Sequence, residues 1–360
     1  MNRRTLLSAV GAIAAVMAIA SPLKAAEAPL RIIPIDVEGG AAVLYVTPQG
    51  HSLLIDTGWP SGMGGPRAQP GAPPPPPMPS SAQRIAAAIK AAGLTKLDYL
   101  LLSHYHVDHI GGAFVDHGPN REMPSPTANP AQLTNAPATL YPKYEAAIAG
   151  KKHIVMKAGD TLKIDDLQLL AVNSDAQVTP KPAAGAGKPT PGCDAVVPNA
   201  AGNGGEENDR SLGILFSYGK ARIVSLGDTT WNMETKLVCP RNVLGKVDLM
   251  FADNHGTGNA SSPLLLGAVQ PTLVAFANGV TKGADPDPLD RARAASGVKA
   301  LWQVHFNTRA GDKNTEADHI ANIEGGPDAM HALQFAVVTS GEISVTNPRT
   351  GKTTAYPKAN

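Results

Sequence analysis

Within the short run His104-Tyr105-His106-Val107-Asp108-His109 stand three histidines and an aspartate. Imidazole and carboxylate are the common protein ligands of Zn²⁺ and similar divalent ions. In an extended turn, His104 and His106 point the same way and can share one ion. Asp108 and His109 stand one step further along and can hold a second. The bland alternative is a polar surface loop with helix-capping side chains. Four good donors directly after an apolar strand argue against it. The chemistry such a set supports is metal-assisted hydrolysis, with an activated water attacking a carbonyl or phosphorus centre.

The elements around this run read as an α/β chain. Residues 31–37, 41–47 and 52–55 predict an antiparallel meander. Residues 81–92 predict a helix capped by Ser81, with Ile85, Ala88, Ile89 and Ala92 on one face and Gly93 ending it. Residues 98–102 (Asp-Tyr-Leu-Leu-Leu) predict a buried strand that delivers Ser103 and the histidine cluster to a loop, where α/β proteins place their sites. Residues 116–150 read as irregular. Strands at 153–156, 161–164 and 167–172 predict a second meander, followed by a hairpin at 212–218 and 221–226. Helices are expected at 231–238, 263–269 and 288–295. Strands are expected at 247–252, 272–277, 300–304, 333–339 and 342–346. Gly- and Pro-rich insertions near 60–80 and 173–210 read as loops. No repeat of fixed period is visible.

Arg3 and Arg4, the apolar run 6–20, the break at Ser21-Pro22 and the small pair Ala25-Ala26 read as a signal peptide over 1–25. Its Arg-Arg pair also fits a twin-arginine signal loosely. Sec and Tat export are both open, and an uncleaved anchor is the alternative. The expected location is periplasmic or secreted, with 26–360 as one domain. Cleavage removes Arg3, Arg4 and Lys24 from 31 basic residues, leaving 28 against 30 acidic ones and a formal charge of −2. Such a balance gives no overall pull on nucleic acid, so strong nucleic-acid binding is not expected. No membrane span is expected after cleavage. Cys193 and Cys239 could pair in an oxidising compartment, or remain two separate thiols.

The run Ser103-His104-Tyr105-His106-Val107-Asp108-His109-Ile110-Gly111-Gly112 resembles the metal-binding signature of the metallo-β-lactamase superfamily. Leu54-Ile55-Asp56-Thr57-Gly58, Leu226-Gly227-Asp228 and Asn254-His255-Gly256 resemble further motifs of that family, in the family's order. The run 208–212 (Asn-Asp-Arg-Ser-Leu), followed by Gly227-Asp228, is most similar to the branch that contains the metallo-hydrolase domain of DNA-uptake competence proteins. The resemblance implies a four-layer αβ/βα sandwich of two mixed β-sheets flanked by helices, with the site along one edge between the sheets. It implies two divalent ions, with Zn²⁺ the expected metal. His104 and His106 would bind the first; Asp108, His109 and His255 the second; Asp228 would bridge them. Asp108 and Asp228 would be the catalytic carboxylates, and Asp56 would support a liganding imidazole or simply form a turn.

One position departs from the family. A further histidine for the first ion is usual, yet none stands between His153 and His255. Asn208 occupies roughly that place, and Asp209 beside it is a candidate ligand. The first ion is therefore expected to be held more weakly than the second. His117 and His305 are possible cleft residues, though a turn or core role suits each better; Asn278, Tyr144 and Lys282 are weaker candidates. The expected function is hydrolysis of an ester, lactone, lactam or phosphodiester bond, in a small-molecule or phosphodiester substrate. The alternative is a metal-stabilised, non-catalytic binding or scaffold protein.

Overall fold

The computed structural model describes residues 27–64, 78–113, 136–195, 206–323 and 330–358. The expected signal peptide, His117, most of the first insertion and part of the second lie outside the described residues. In chain order the strands are β1 (Leu30–Pro34), β2 (Val43–Val46), β3 (Ser52–Ile55), β4 (Tyr99–Leu101), β5 (Thr161–Ile164), β6 (Leu167–Ser174), β7 (Gln177–Val178) and β8 (Gly213–Tyr218). They continue as β9 (Ala221–Ser225), β10 (Leu249–Phe251), β11 (Leu273–Phe276), β12 (Ala300–His305), β13 (Ile320–Asn322), β14 (Gln334–Val337), β15 (Ile343–Asn347) and β16 (Lys352–Tyr356).

One sheet runs β16-β15-β14-β1-β2-β3-β4, and the other β13-β12-β11-β10-β9-β8-β6-β5 with β7 beside β6. Both are mixed. The first is antiparallel until β3 pairs β4 in parallel, with Ile55 beside Leu101. The second is antiparallel from β5 to β9 and parallel from β9 to β13. Alternate residues of both sheets meet in a shared core that includes Ile32, Tyr45, Leu53, Phe216, Leu249, Trp302 and Phe335. Tyr45 stacks on Phe216 with ring centroids 4.7 Å apart. The opposite faces are apolar too, so each must be covered. Ile33, Leu44 and Leu54 pack against Ile85 of the helix Ser81–Ala91. Leu215, Val224, Met250 and Val274 pack against Leu237, Leu266 and Leu289, from helices Trp231–Val238, Pro263–Val269 and Pro286–Ala294. The order of layers is helix, sheet, sheet, helix, as the family resemblance implied.

Several local expectations need correction. Ser80, not Ser81, caps the first helix, through a reciprocal capping box with Gln83. The strand before the histidines is less buried than its composition suggests: Tyr99 and Leu100 are exposed and only Leu101 is buried. No strand forms at 153–156, where Ile154 and Val155 are exposed; apolar composition alone does not make a strand without a partner. Conversely, Ala136–Ala147 is helical although Pro142 lies inside it, in a stretch whose prolines argued for irregular chain. Among the described residues no helix is long and apolar enough to cross a membrane.

Candidate metal centre

The first sheet delivers the histidine cluster. After β4 the chain turns through Ser103 to His106, which is extended (φ −65°, ψ 151°) and starts the short helix Val107–Ile110. Two turns clamp that helix. Thr57 donates to the carbonyl of His109 from its backbone N (2.6 Å) and its hydroxyl (2.8 Å), and Ala41 N donates to Asp108 O (3.0 Å). The next residues must be small: a Cβ on Gly111 would lie 2.1 Å from Pro60 Cδ, and one on Gly112 2.1 Å from Thr57 O. The Gly-Gly pair thus lets the helix lie against the Asp56-Thr57-Gly58 turn.

The second sheet supplies the rest. Asp228 follows β9, with its backbone N donating to Ser211 Oγ (3.2 Å). His255 lies in the turn Asp253–Gly256 after β10, where Asn254 (φ 44°) and His255 (φ 56°) are left-handed. A non-glycine residue held there stores strain, which is common where a side chain is aimed for function.

These side chains converge as two groups that share Asp228. Ligand atoms of Asp108, His109, Asp228 and His255 all lie within 4.8 Å of one another, and so do those of His104, His106 and Asp228. His109 Nε2 is 3.2 Å from His255 Nε2 and 3.1 Å from Asp228 Oδ1. His255 Nε2 is 3.2 Å from Asp108 Oδ2. In the other group, His104 Nε2 is 3.0 Å from His106 Nδ1 and 3.8 Å from Asp228 Oδ2. All are buried except His106, which is partly exposed.

The far ring nitrogens are braced. His109 Nδ1 lies 2.8 Å from Asp56 Oδ2, and His255 Nδ1 donates to Ala277 O at 3.1 Å. Both Nε2 atoms are thereby left facing the cluster, the arrangement that fixes tautomer and direction in metal sites. Asp56 also accepts from Ser103 N (2.7 Å) and Ser103 Oγ (2.7 Å). Ser103 Oγ is 3.0 Å from His104 Nδ1. The donor set, its convergence and this bracing fit divalent metal ions.

Electrostatics agree. Burial works against a charge on Asp228, but His109 and His255 more than offset it and hold its carboxyl well below the usual range. Burial likewise opposes ionisation of Asp108, yet Lys282 and His109 keep its carboxyl low. Burial also disfavours a charged His109, but Asp228, Asp108 and Asp56 raise its pKa well above the ordinary value. His104 goes the other way: burial, then the neighbouring His109, push it well below. Carboxylates held ionised beside imidazoles are what a cation replaces protons to reach.

The remaining candidates are spread more widely. Asp209 faces away, accepting from Asn232 Nδ2 at 2.7 and 2.8 Å. Asn208 is buried, and its Oδ1 has no hydrogen-bond partner. Its helix, Glu206–Asp209, is tied to the cluster by Tyr105 N donating to Glu207 Oε1 (2.8 Å). Tyr144 lines a cavity of about 660 Å³ beside His104 and Tyr105, together with His153, Glu207 and Arg210. Asn278 is buried and donates to His305 O (2.8 Å), a structural use.

His305 itself belongs to a group that the sequence did not suggest. Its Nε2 is 2.7 Å from Asp36 Oδ1, while Arg84 donates to Asp36 Oδ2 (2.8 Å) and Glu38 Oε1 (3.1 Å). Asp36 and His305 are 269 positions apart, so no local spacing signals the pair.

The sequence model of the metallo-beta-lactamase superfamily matches residues 35–184. The match takes in Asp56 and the His104–His109 run and ends before Asp228 and His255. No curated protein sequence matches the chain. Among solved structures the chain is similar to a Cronobacter sakazakii metallo-beta-lactamase protein with a HARLDQ motif, at 14% identity and TM-score 0.28, over 54% of this chain and 59% of that one. It is similar to a diiron beta-hydroxylase of Streptomyces venezuelae, at 15% identity and TM-score 0.33, over 76% of this chain and 48% of that one. It is also similar to a metal-dependent hydrolase of the beta-lactamase superfamily, at 11% identity and TM-score 0.39, over 76% of this chain and 95% of that one. The chain thus spans less than two thirds of the first two relatives.

Proposed function

We propose that this chain, which belongs to the metallo-beta-lactamase superfamily, is an exported hydrolase that holds two divalent ions, zinc by ligand chemistry, and cuts a small ester, lactone, lactam or phosphodiester. The observation that carries the reading is the convergence of two buried donor groups on one shared carboxylate, Asp228. Asp108, His109, His255 and Asp228 would hold one ion, and His104, His106 and Asp228 the other. Such ions supply polarisation of the scissile group and activation of water near neutral pH.

The chain's own residues do the positioning. Asp228 turns Oδ1 to His109 and Oδ2 to His104, so one carboxylate can serve both groups. Asp56 keeps the His109 ring in place. Asp108 lies inside the site, 3.2 Å from His255 Nε2, where it would hold an ion and relay a proton to the leaving group. Cys193 and Cys239 form a disulfide, which supports an oxidising compartment and so the reading of 1–25 as an export signal. The likeness of 208–212 to the competence-protein branch favours a phosphodiester; export favours a small extracellular molecule.

The test joins metal analysis of the purified protein to a panel of a chromogenic cephalosporin, a lactone, bis(p-nitrophenyl) phosphate and p-nitrophenyl phosphate. Retained metal and chelator-sensitive turnover of one of them is expected. Metal without turnover of any would favour a scaffold role, and absence of metal would overturn the reading.

A further inference from the structure

The segment 184–191, part of the second Gly- and Pro-rich insertion, is pinned along its length. Gly187 N donates to Asn242 O (2.8 Å), Asn242 N to Lys188 O (2.9 Å) and Thr190 N to Pro240 O (3.1 Å). Pro189 and Arg241 form a β-bridge, and the disulfide Cys193–Cys239 ties the chain just beyond. Gly185 (φ +75°) and Gly187 (φ +92°) supply the left-handed backbone that curves it. The segment is thereby one fixed wall of a cavity of about 510 Å³, a volume that suits a small molecule.

Four cations line that cavity, Lys188, Arg222, Lys246 and Lys358, and among the described residues no aspartate or glutamate does. The whole chain carries 31 basic and 30 acidic residues, so this one-sided lining is local. Lys358 is already paired: its ammonium lies 2.7 Å from both oxygens of Asp248. Lys188 and Lys246 are exposed, and among the described residues neither is in an ion pair. Arg222 is anchored by neutral groups. Its terminal nitrogens donate to the carbonyls of Ala184 (2.9 Å) and Leu244, and its Nε is buried with no partner. Burial opposes the guanidinium charge, and Asp248, which accepts from Arg222 N at 2.8 Å, offsets only part of that. Two carbonyls orient the fork without cancelling its charge. A partly desolvated cation in a cleft of one sign costs free energy until an anion completes it.

The cavity is separate from the metal centre. Arg222 stands near the start of β9 and Asp248 just before β10, and these strands run parallel. Asp228 and His255 follow the opposite ends of the same two strands. The length of β9 therefore lies between the sites, more than about 10 Å at roughly 3.3 Å per residue.

We propose that this basic cavity binds the phosphate group of a small phosphate ester or diphosphate, with Arg222 as its fixed donor and Lys188 and Lys246 as its mobile ones. Three cations without a carboxylate partner outnumber the single charge of a carboxylate and match a group with two or more negative charges. Arginine and lysine together are common phosphate binders. Pro189, Pro191 and Ala268, which also line the cavity, offer apolar surface to the organic part of an ester. The proposal does not depend on what the metal centre does.

The experiment uses the full mature protein with its metal as purified, at about 0.15 M salt to screen diffuse attraction. Calorimetry measures two probes, inorganic pyrophosphate and phenyl phosphate, with acetate as the singly charged control. The native protein should bind at least one phosphate probe, and more tightly than acetate. Lys188→Ala/Lys246→Ala should weaken that binding by about 10–100-fold, the scale of losing hydrogen bonds between charged partners. Lys188→Arg/Lys246→Arg should stay within about threefold, because the charge remains. Both lysines are exposed, so the unfolding midpoint and metal content of the two variants should match those of the native protein. The two probes separate a diphosphate from a monoester. A probe held at the metal centre instead would bind the alanine pair as tightly as the native protein, and that result overturns the proposal. So would a native protein that binds neither phosphate probe or binds acetate equally well.

Discussion

Among the described residues, two separate regions bring histidine and carboxylate ligand atoms within 4.8 Å of one another: the paired groups that share Asp228, of which Asp108/His109/Asp228/His255 is the larger, and the cluster Asp36/Glu38/His305. By proximity alone both could hold a metal. Their partners set them apart. In the second cluster Arg84, itself buried, spends its guanidinium fork on Asp36 and Glu38, and His305 takes the remaining Asp36 oxygen. Burial opposes the His305 charge, yet the hydrogen bond and charge of Asp36 raise its pKa. Two fixed positive groups therefore balance two carboxylates, and a divalent ion would have to displace an arginine that cannot lose its proton. In the first cluster the bracing groups, Asp56 and the Ala277 carbonyl, hold the outer ring nitrogens and leave the inner ones converging. The cation that does touch it, Lys282, sits at the rim on a flexible stem. A metal site is distinguished from an ion-pair knot by where its fixed positive charge already sits.

The largest effects should come from emptying the first cluster. Asp228→Asn should cut turnover by roughly 10²–10³-fold, the scale for losing a group that stabilises charge in the transition state. Asp56→Asn should cost only about 10–100-fold, because it loosens a liganding ring without removing a ligand. Equal losses with metal saturating would count against the assignment of Asp228 as the shared carboxylate. His255→Asn should release the tightly held ion while the fold persists, since asparagine tolerates the left-handed backbone that alanine does not. Metal content after dialysis against a weak chelator reads this directly; retention of the native amount would remove His255 from the ligand set. The same dialysis tests the unequal halves of the centre. The group of His104, His106 and Asp228 has three donors and a partly exposed histidine, so its ion should leave first.

How much of this could be read beforehand differs between the clusters. The His104–His109 run is local, and its spacing alone brings four donors together. Asp228 and His255 each follow a strand in a short motif, so resemblance placed them. The helix expected at 263–269 was also legible, and the structure shows it starting from a proline after the Ser262 cap. The second cluster was not. Asp36, Arg84 and His305 carry no spacing signal, and only the facing of the two sheets unites them. Nor was the edge strand β16, whose Lys-Thr-Thr-Ala-Tyr sequence is exposed along most of its length and lacks the apolar alternation of a buried strand.

Arg84→Met tests the second cluster as a knot. Removal of one partner from a buried ion pair costs about 3–5 kcal/mol, because the carboxylates left behind have lost their counter-charge. Denaturant unfolding should show a loss of that size, with any metal content of the candidate centre unchanged. A gain of one further tightly bound ion in this variant would show that the arginine had been excluding a metal. Loss of metal that the unmodified protein retains would instead show that the two clusters are coupled.

The smallest effect, and the one that depends on pH, should come from His305→Gln. The imidazole of His305 is charged in the folded protein at a pH where a free histidine is already neutral, because Asp36 raises its pKa. A raised folded value means that the pairing contributes fully below the unfolded value near 6.5 and fades as pH rises through the folded one. Glutamine can still donate to Asp36 but carries no charge. The variant should therefore be less stable than the native protein by about 1–3 kcal/mol in mildly acidic solution, the scale of a hydrogen bond to a charged group. The gap should narrow as the solution becomes alkaline and His305 loses its proton. Unfolding curves for both proteins across that range would measure it. A gap that is constant with pH would mean that His305 is held by packing and a neutral hydrogen bond, and the charge balance drawn for the second cluster would then rest on Arg84 alone.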